Sequence, residues 1–362
     1  MAVMNYKCPC CGAPLTFDGE TQNLQCESCG SEFETETLRQ LMENEQSAKQ
    51  SSYDWEHYEP RLFADDGSGV DLSSYSCPSC GAEIVGDNNL GATVCPYCGN
   101  ATIVQGNFEG TLRPDYLIPF KLDKARAMQC FENACKDAPF LPNEFKDKRV
   151  IEKMAGVYVP FWAFDCDCDA NITYNAHRIA TWSDSNYDYV KTDYYKLIRA
   201  GKVGFANIPV DASTKTENQY MEGVEPFNYA EAVDFNTAYL AGYLADRYDV
   251  SVEDSIGRAT ERVKHSTESV YASTTAGYMG VTAEQSSIIA TDCKIRYSLL
   301  PVWMLNIKYM DKMYKYVING QTGKVAGEYP VSKAKRNKFF AAVCGVALAI
   351  GVGIAYAYTK FM

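Results

Sequence analysis

Eight cysteines form four Cys-x-x-Cys knuckles, and the knuckles fall into two matched sets: Cys8/Cys11 with Cys26/Cys29, then Cys77/Cys80 with Cys95/Cys98. The second set repeats the first at a constant offset of 69 residues, 77 less 8 and 98 less 29 alike. Each knuckle puts two thiolates on one tight turn, and two knuckles together supply the four sulfurs of a tetrahedral zinc site. The 14 residues between paired knuckles, 12–25 and 81–94, suffice for a short hairpin and are too few for a core, so metal is expected to do the folding. Gly12, Gly30, Gly81 and Gly99 each follow a knuckle's second cysteine, where the turn needs positive φ. Two disulfides per module, or a redox dithiol, are the competing reading; paired knuckles at this spacing outside a secretory context favour zinc. Cys10, inside the first knuckle, is a spare thiol that could compete as a ligand.

Charge decides what such modules can touch. Residues 1–112 hold 4 cations, Lys7, Arg39, Lys49 and Arg61, against 17 acids, and residues 70–112 hold no cation at all. Four thiolates around a divalent ion add two further negative charges per site. Nucleic-acid binding draws most of its affinity from a positive footprint, so no nucleic-acid partner is expected and both modules read as structural or protein-contacting.

The second constraint lies at the other end. Residues 339–358 run for 20 positions without a charge, which at about 1.5 Å per residue spans a hydrocarbon core of about 30 Å. Lys333, Lys335, Arg336 and Lys338 precede the stretch and only Lys360 follows it. The positive-inside rule then keeps the bulk of the chain in the cytoplasm, as a single-pass, tail-anchored protein of the cell membrane. The first six residues have neither the basic start nor the apolar run of a signal peptide. Ala341, Gly345, Ala349, Gly353 and Ala357 recur every fourth residue along the span, a pattern that lets membrane helices approach closely and self-associate.

Between these ends the fold class reads as α+β: zinc ribbons at 1–35 and 70–112, an acidic linker with a short helix at 36–69, an aromatic-rich domain with antiparallel sheet at 113–331, and a basic juxtamembrane segment at 332–338. The linker helix is expected over residues 38–49, with turn signals around Asp65 to Gly69. Trp55, His57 and Tyr58 either dock on a neighbouring surface or cap that helix. Asp123 caps an expected helix to Asp137, and a longer one is expected from Ser251 to Tyr271 with Ile256, Ala259 and Val263 inward. Strands are expected over 156–174, 186–207, 286–311 and 313–327, with turns near the end at Asn319-Gly320 and Thr322-Gly323, as a hairpin would need. Pro160 and Trp162 are echoed at Pro301 and Trp303, both 141 residues later; prolines beside a strand's Trp suggest an edge or a bulge.

Signs of catalysis are few. His57, His177 and His265 are the only histidines, none within a nucleophile motif, and Gly320 to Val325 has the wrong glycine spacing for a phosphate loop. The chain is therefore not expected to be an enzyme. Asp165-Cys166-Asp167-Cys168-Asp169 is the one suggestive stretch left. On a strand its thiols face one way and its carboxylates the other, and Cys166 and Cys168 could join Cys130, Cys135 or Cys293 in a third metal or redox site, or simply fill a core. The segment Trp182 to Tyr189, with Tyr194 and Tyr195, reads as a strand, a turn and a strand.

Two Cys-Pro-x-Cys-Gly modules, Leu117-Ile-Pro-Phe120, Val157-Tyr-Val-Pro-Phe-Trp162, Trp182-Ser-Asp-Ser-Asn186, Ile208-Pro-Val-Asp211, Glu225-Pro-Phe227, Ala238 to Asp246 and Leu300-Pro-Val-Trp303 together resemble the YdjG-type proteins of Gram-positive bacteria over nearly the whole length. These are often labelled TFIIB-type zinc-ribbon proteins or primosomal (PriA-like) helicases; the charge and the missing phosphate loop argue against a helicase here. The resemblance implies a membrane-anchored double zinc ribbon holding two Zn2+ ions through Cys8, Cys11, Cys26, Cys29, Cys77, Cys80, Cys95 and Cys98. It also implies an envelope-stress module with phage shock protein A and an SPFH (flotillin-like) protein as partners. The expected function is accordingly a membrane adaptor. A transcription-linked or nucleic-acid-binding ribbon protein, and a thiol-based metal or redox enzyme using Cys166 and Cys168, are the alternatives.

Overall fold

A computed structural model of the chain describes residues 6–46, 50–61, 72–87, 94–100, 104–106 and 112–361. The expected turn at Asp65 to Gly69 lies outside the described residues, as does the side chain of Ala357. In chain order the strands and helices are β1 (Thr16–Asp18), β2 (Asn23–Gln25), β3 (Glu32–Glu34), α1 (Thr35–Gln46), β4 (Ser52–Trp55), β5 (Leu72–Ser76), β6 (Glu83–Asp87) and β7 (Val104–Gly106). There follow β8 (Tyr116–Leu117), α2 (Lys124–Lys136), α3 (Lys148–Ile151), β9 (Ala155–Ser183), β10 (Asp188–Asp211), α4 (Asn218–Gly223), β11 (Val233–Asp234) and β12 (Leu244–Asp246). The chain closes with α5 (Val252–Ser273), β13 (Met279–Tyr309), β14 (Lys312–Asn319), β15 (Val325–Gly327) and α6 (Lys333–Phe361). The class is α+β with antiparallel and parallel pairings.

Two compact units emerge, each assembled from separate pieces of chain. One comprises 1–57, 164–208 and 256–295; the other comprises 58–163, 209–255 and 296–362. Four of the five divisions fall inside β9, β10, β13 and α5, and the fifth, after His57, falls within the stretch expected to be a linker.

In the first unit β1, β2 and β3 form their own antiparallel sheet, and Leu38 and Leu41 of α1 are buried. The main core lines one face of β9 and β13, with Cys166, Cys168, Ile172, Tyr174, Ile288 and Cys293 packed together with Val263 and Tyr271 of α5. Ser251 caps α5, its Oγ accepting from the Asp254 amide at 3.1 Å. Ala259 and Val263 are fully buried as the helical period requires, while Ile256 is half-buried. The stretch expected to be a linker supplies β4, which pairs parallel to β13 with Ile289 opposite Ser52. Trp55 docks rather than capping α1: its Nε1 donates to Thr260 Oγ1 at 3.0 Å and its ring meets Phe164 edge-on at 5.1 Å. Alternation of apolar and polar residues across Ser52 to Trp55 is too short to announce a strand, which is why composition alone reads as linker.

Beyond this core β9 and β10 continue as a pair closed by the turn at Asp184, whose Oδ1 accepts from the amides of Asn186 and Tyr187, each at 2.8 Å. Exposed Trp182 stacks on Tyr189 at 5.4 Å.

In the second unit the sheet runs β11-β8-β13-β9-β12-β6-β5-β7, with β14 on β13 and β15 on β14. Pro160 and Pro301 do not sit at an edge: β9 and β13 are interior neighbours. A proline there loses one rung donor, and its carbonyl is used instead, Pro160 O accepting from Ala212 N at 3.0 Å and Pro301 O from Gly320 N at 2.8 Å. Their partner tryptophans are also matched, Trp162 Nε1 donating to Val250 O at 2.9 Å and Trp303 Nε1 to Leu122 O at 3.1 Å. The 141-residue echo is thus two equivalent positions on adjacent strands. Phe120 stacks flat on Tyr243 at 4.1 Å and meets Trp303 edge-on. The hairpin of β14 and β15 turns where expected, with Gly323 at φ +79° and the buried Asn319 side chain accepting from the amides of Gln321 and Thr322.

Helix α2 starts at its expected cap, Asp123 Oδ1 accepting from Arg126 N at 2.8 Å, and buries Ala127, Phe131 and Cys135. Helix α6 carries a segment, Lys333–Tyr356, with mean hydropathy 2.2 and none of its apolar window buried. It is long and apolar enough to cross a membrane, and its exposure sets it apart from a core helix of a soluble protein.

Thermal unfolding of the full chain in detergent should rank two variants of α2. Phe131→Ala, which empties a fully buried site against Tyr316, should cost about 3–5 kcal/mol, whereas the cap variant Asp123→Ala should cost about 1 kcal/mol. Equal melting shifts would show that α2 is not packed as described.

Candidate metal centres

All four knuckles close by the same pair of backbone hydrogen bonds. The amides of Cys8, Cys26, Cys77 and Cys95 donate to the carbonyls of Ala13, Ser31, Ala82 and Asn100 at 2.7–2.9 Å. The amides of Gly12, Gly30, Gly81 and Gly99 donate back to those cysteines' own carbonyls at 2.8–2.9 Å. Those glycines have φ between +68° and +74°, the left-handed turn that a β-carbon disfavours.

The knuckles meet in the expected pairs. Cys8, Cys11, Cys26 and Cys29 form one group and Cys77, Cys80, Cys95 and Cys98 another, with all sulfurs of a group within 4.8 Å of one another. The crossing contacts are 3.6 Å for Cys8 to Cys29, 3.4 Å for Cys11 to Cys26, and 3.7 Å for both Cys77 to Cys98 and Cys80 to Cys95. Metal–sulfur bonds of about 2.3 Å in a tetrahedron require sulfurs about 3.8 Å apart, so both groups could hold a metal ion with little movement. They are too far apart for disulfides, whose sulfurs lie about 2.05 Å apart. Cys10 is exposed and stands outside the four-sulfur group.

The thiols of a group are not equivalent. Hydrogen bonds from the Ser31 hydroxyl, 3.2 Å away, and its amide draw exposed Cys29 down to about 6, whereas burial pushes Cys8 up to about 12. In the second group burial opposes ionisation of Cys77, but the amides of Cys80 and Ser79 bring it down to about 7; burial holds Cys95 and Cys80 above the ordinary value. Cys29 and Cys77 are therefore the readier to ionise, whereas Cys8, Cys80 and Cys95 are held protonated until a cation favours their thiolates.

The settings of the two groups differ. The first belongs to the small sheet β1 to β3. The second lies within the central sheet, because β6 pairs with β12, Ala245 opposite Val85 and Asp246 opposite Ile84. Its knuckle is tied down further by Asn306 Nδ2, which donates to Pro96 O at 2.6 Å, and by Tyr97, 3% exposed in the core. Beside Tyr97 lies Asp246, fully enclosed; burial raises its carboxyl to about 7 against the pull of the Ser213 hydroxyl at 2.6 Å. A cleft of about 340 Å³ opens on this group, lined by Cys80, Cys98, Tyr97, Thr214, Lys215, Met313 and Lys315. The second module has no cation in its own sequence, yet the fold brings two lysines into the cleft beside it. Lys215 is already paired with Asp249 at 3.0 Å, so these lysines offset the charge of a four-thiolate site locally and form no phosphate-binding stripe. Neither lysine carries a local signal, since each is more than 100 residues from the cysteines it faces.

The remaining cysteines separate. Cys166 and Cys168 face the core of the first unit with sulfurs 3.7 Å apart, and Cys293 lies in the same cluster. Asp167 and Asp169 point to solvent, as the strand period predicts. Donation from Cys166 to Cys168 holds the first thiol protonated and lowers the second, and burial raises Cys293 to about 11. Cys130 and Cys135 belong to the separate core around α2.

Elemental analysis of the purified chain should find two metal ions, falling to one in Cys8→Ser or Cys77→Ser. Occupancy should decline as pH falls, because protons compete for the thiolates. After chelation at neutral pH, alkylation mapped by mass spectrometry should modify Cys29 well before Cys8: a thiol with a lowered pKa keeps its thiolate until pH falls through about 6, whereas Cys8 remains protonated. Equal rates would refute the asymmetry.

No protein-family model and no solved structure matches the chain. It is 34% identical over 343 residues to the uncharacterized protein YdjG of Bacillus subtilis (strain 168), an alignment covering 95% of each chain. Identity at that level over 95% of both chains places this chain in the YdjG family.

Proposed function

We propose that the protein is a zinc-ribbon adaptor, held at the cytoplasmic face of the cell membrane by its C-terminal helix and recruiting cytosolic proteins there. The observation that carries this reading is the presence, on one chain, of two four-sulfur groups and an unburied helix of membrane length. Zinc is the ion we assign: a d10 cation accepts four thiolates in a tetrahedron without geometric preference and without redox chemistry. When bound it closes each pair of knuckles, and the residues around the sulfurs then present a surface of fixed shape. The four cations at 333–338 orient the helix with the bulk of the chain on the cytoplasmic side.

The partner we favour is an SPFH (flotillin-like) scaffold, with a phage-shock protein as part of the same envelope-stress module, on the family resemblance. The exposed aromatic tip of β9 and β10 supplies anchors of the kind that protein interfaces use. Formal charge of −12 over the chain argues against nucleic acid. The burial of Cys166, Cys168 and Cys293 argues for core packing over a thiol-based active site, and we read the protein as a binding module and not an enzyme. Pairing of α6 with a second membrane helix through Ala341, Gly345, Ala349 and Gly353 belongs to the same proposal; nothing stands within 4 Å of the β-carbon position of either glycine.

The test is affinity purification from membranes under reducing conditions, wild type beside Cys8→Ser and Cys77→Ser, with co-purifying proteins identified by mass spectrometry. Recovery of an SPFH-type or phage-shock protein that is lost in one variant supports the adaptor and locates its contact. Recovery of nucleic acid or transcription machinery overturns it.

A further inference from the structure

The start of α6 is not a free tether. Ser332 N donates to Phe140 O at 2.8 Å, and Lys335 Nζ donates to both Leu141 O at 2.6 Å and Asn143 Oδ1 at 2.7 Å. The Phe140 ring meets that of Phe339, the first residue of the apolar run, at 5.3 Å. Phe140 holds the left-handed backbone conformation, φ +63°, which is uncommon for an aromatic residue and here delivers its carbonyl to the helix. Lys335, of the four basic residues at 333–338, thus spends its charge on the folded unit, while Lys333, Arg336 and Lys338 are exposed.

This docking fixes the height of one folded segment relative to the apolar run. Residues 140–153 carry four cations, Lys146, Lys148, Arg149 and Lys153, against three acids. All four cations are exposed, whereas Phe145 and Ile151 between them are buried. The adjoining 332–338 adds four cations and no acid. On a chain of net charge −12, a basic surface joined directly to the first turn of a membrane-length helix has one complementary partner within reach, the headgroup layer that the helix enters. Anionic headgroups attract such clusters within a Debye length of the surface.

We infer that residues 140–153, pinned by Lys335 and Phe339, form with the start of α6 a lipid-contact face for anionic headgroups, so that the folded unit rests on the membrane through Phe140 and the exposed cations at 146–149. This rests on the membrane reading of α6, and the experiment separates the two. Full-length protein is reconstituted into vesicles of phosphatidylcholine alone or with phosphatidylglycerol and floated on a gradient. Failure to float with either removes the anchor reading itself. On protein that floats, hydrogen exchange of the 140–153 amides is compared between the two lipids, beside the triple variant Lys146→Glu, Lys148→Glu, Arg149→Glu. The expected result is slower exchange with phosphatidylglycerol, lost in the triple variant, whose exchange in the neutral lipid matches wild type. Independently, Phe140→Trp should add fluorescence that brominated lipid quenches. Equal exchange in both lipids, or added fluorescence that stays unquenched in floating Phe140→Trp protein, overturns the inference while leaving the anchor in place.

Discussion

The pairing of β9 with β13 is the interaction on which the rest depends. These strands, 29 and 31 residues long, supply one wall of the core in both compact units: Cys166 to Tyr174 with Ile288 to Cys293 in one, Val157 to Phe161 with Leu300 to Met304 in the other. Every other strand of the central sheet is reached through one of them, β8, β14 and β4 through β13, β10 and β12 through β9. Segments far apart in sequence acquire a common sheet because two strands are long enough to serve several partners in succession. A chain built this way cannot be cut into consecutive domains, since any cut in the body of the sheet severs hydrogen bonds at both ends of a strand.

That construction also explains what could be read in advance. The metal groups were legible residue by residue, because a knuckle is local: two sulfurs, one positive-φ glycine and two backbone hydrogen bonds all lie within six positions. Helix α2 and helix α5 were legible for the same reason, the first from its cap and its period, the second from its period alone. The hairpin at Asn319 to Gly323 announced itself through turn chemistry. What stayed hidden is non-local. Nothing near Ser52 to Trp55 says that Ile289 will pair with it, and nothing near Cys80 says that Lys215 and Lys315 will face it. The matched Pro and Trp positions were visible as an echo, but the rule that confines proline to edges pointed the wrong way. It concerns a lost donor, whereas the carbonyls that Pro160 and Pro301 keep still accept from Ala212 and Gly320.

Electrostatics is distributed to match. The first 112 residues hold 17 of the chain's 46 acids and only 4 of its 34 basic residues, and two four-thiolate sites would make that end more negative still. The cations concentrate beyond residue 113. Near the second sulfur group Lys215 and Lys315 lie close enough to temper the local charge, and Lys215 is held by Asp249 on its other side. A lysine fixed between a carboxylate and a thiolate cluster is poorly placed to reach a phosphate.

The same reasoning bears on why the second sulfur group is built into the sheet while the first keeps a sheet of its own. A three-stranded module of short strands buries almost nothing; among β1 to β3 only Leu24 is fully withdrawn from solvent. An ion held by its four sulfurs would supply much of what fixes its shape. The second module instead sends Ile84 and Val85, on β6, into the core and fixes Pro96 through Asn306. It has a protein scaffold even before an ion is counted. Tyr97 lies inside the knuckle itself and is buried against that scaffold, beside the enclosed Asp246. Removing the ion from the first module removes most of what defines it, whereas removing it from the second leaves strand pairing to β12 and a buried aromatic to hold the cysteines near their places. Of the two, the first would depend more on an ion held by its four sulfurs.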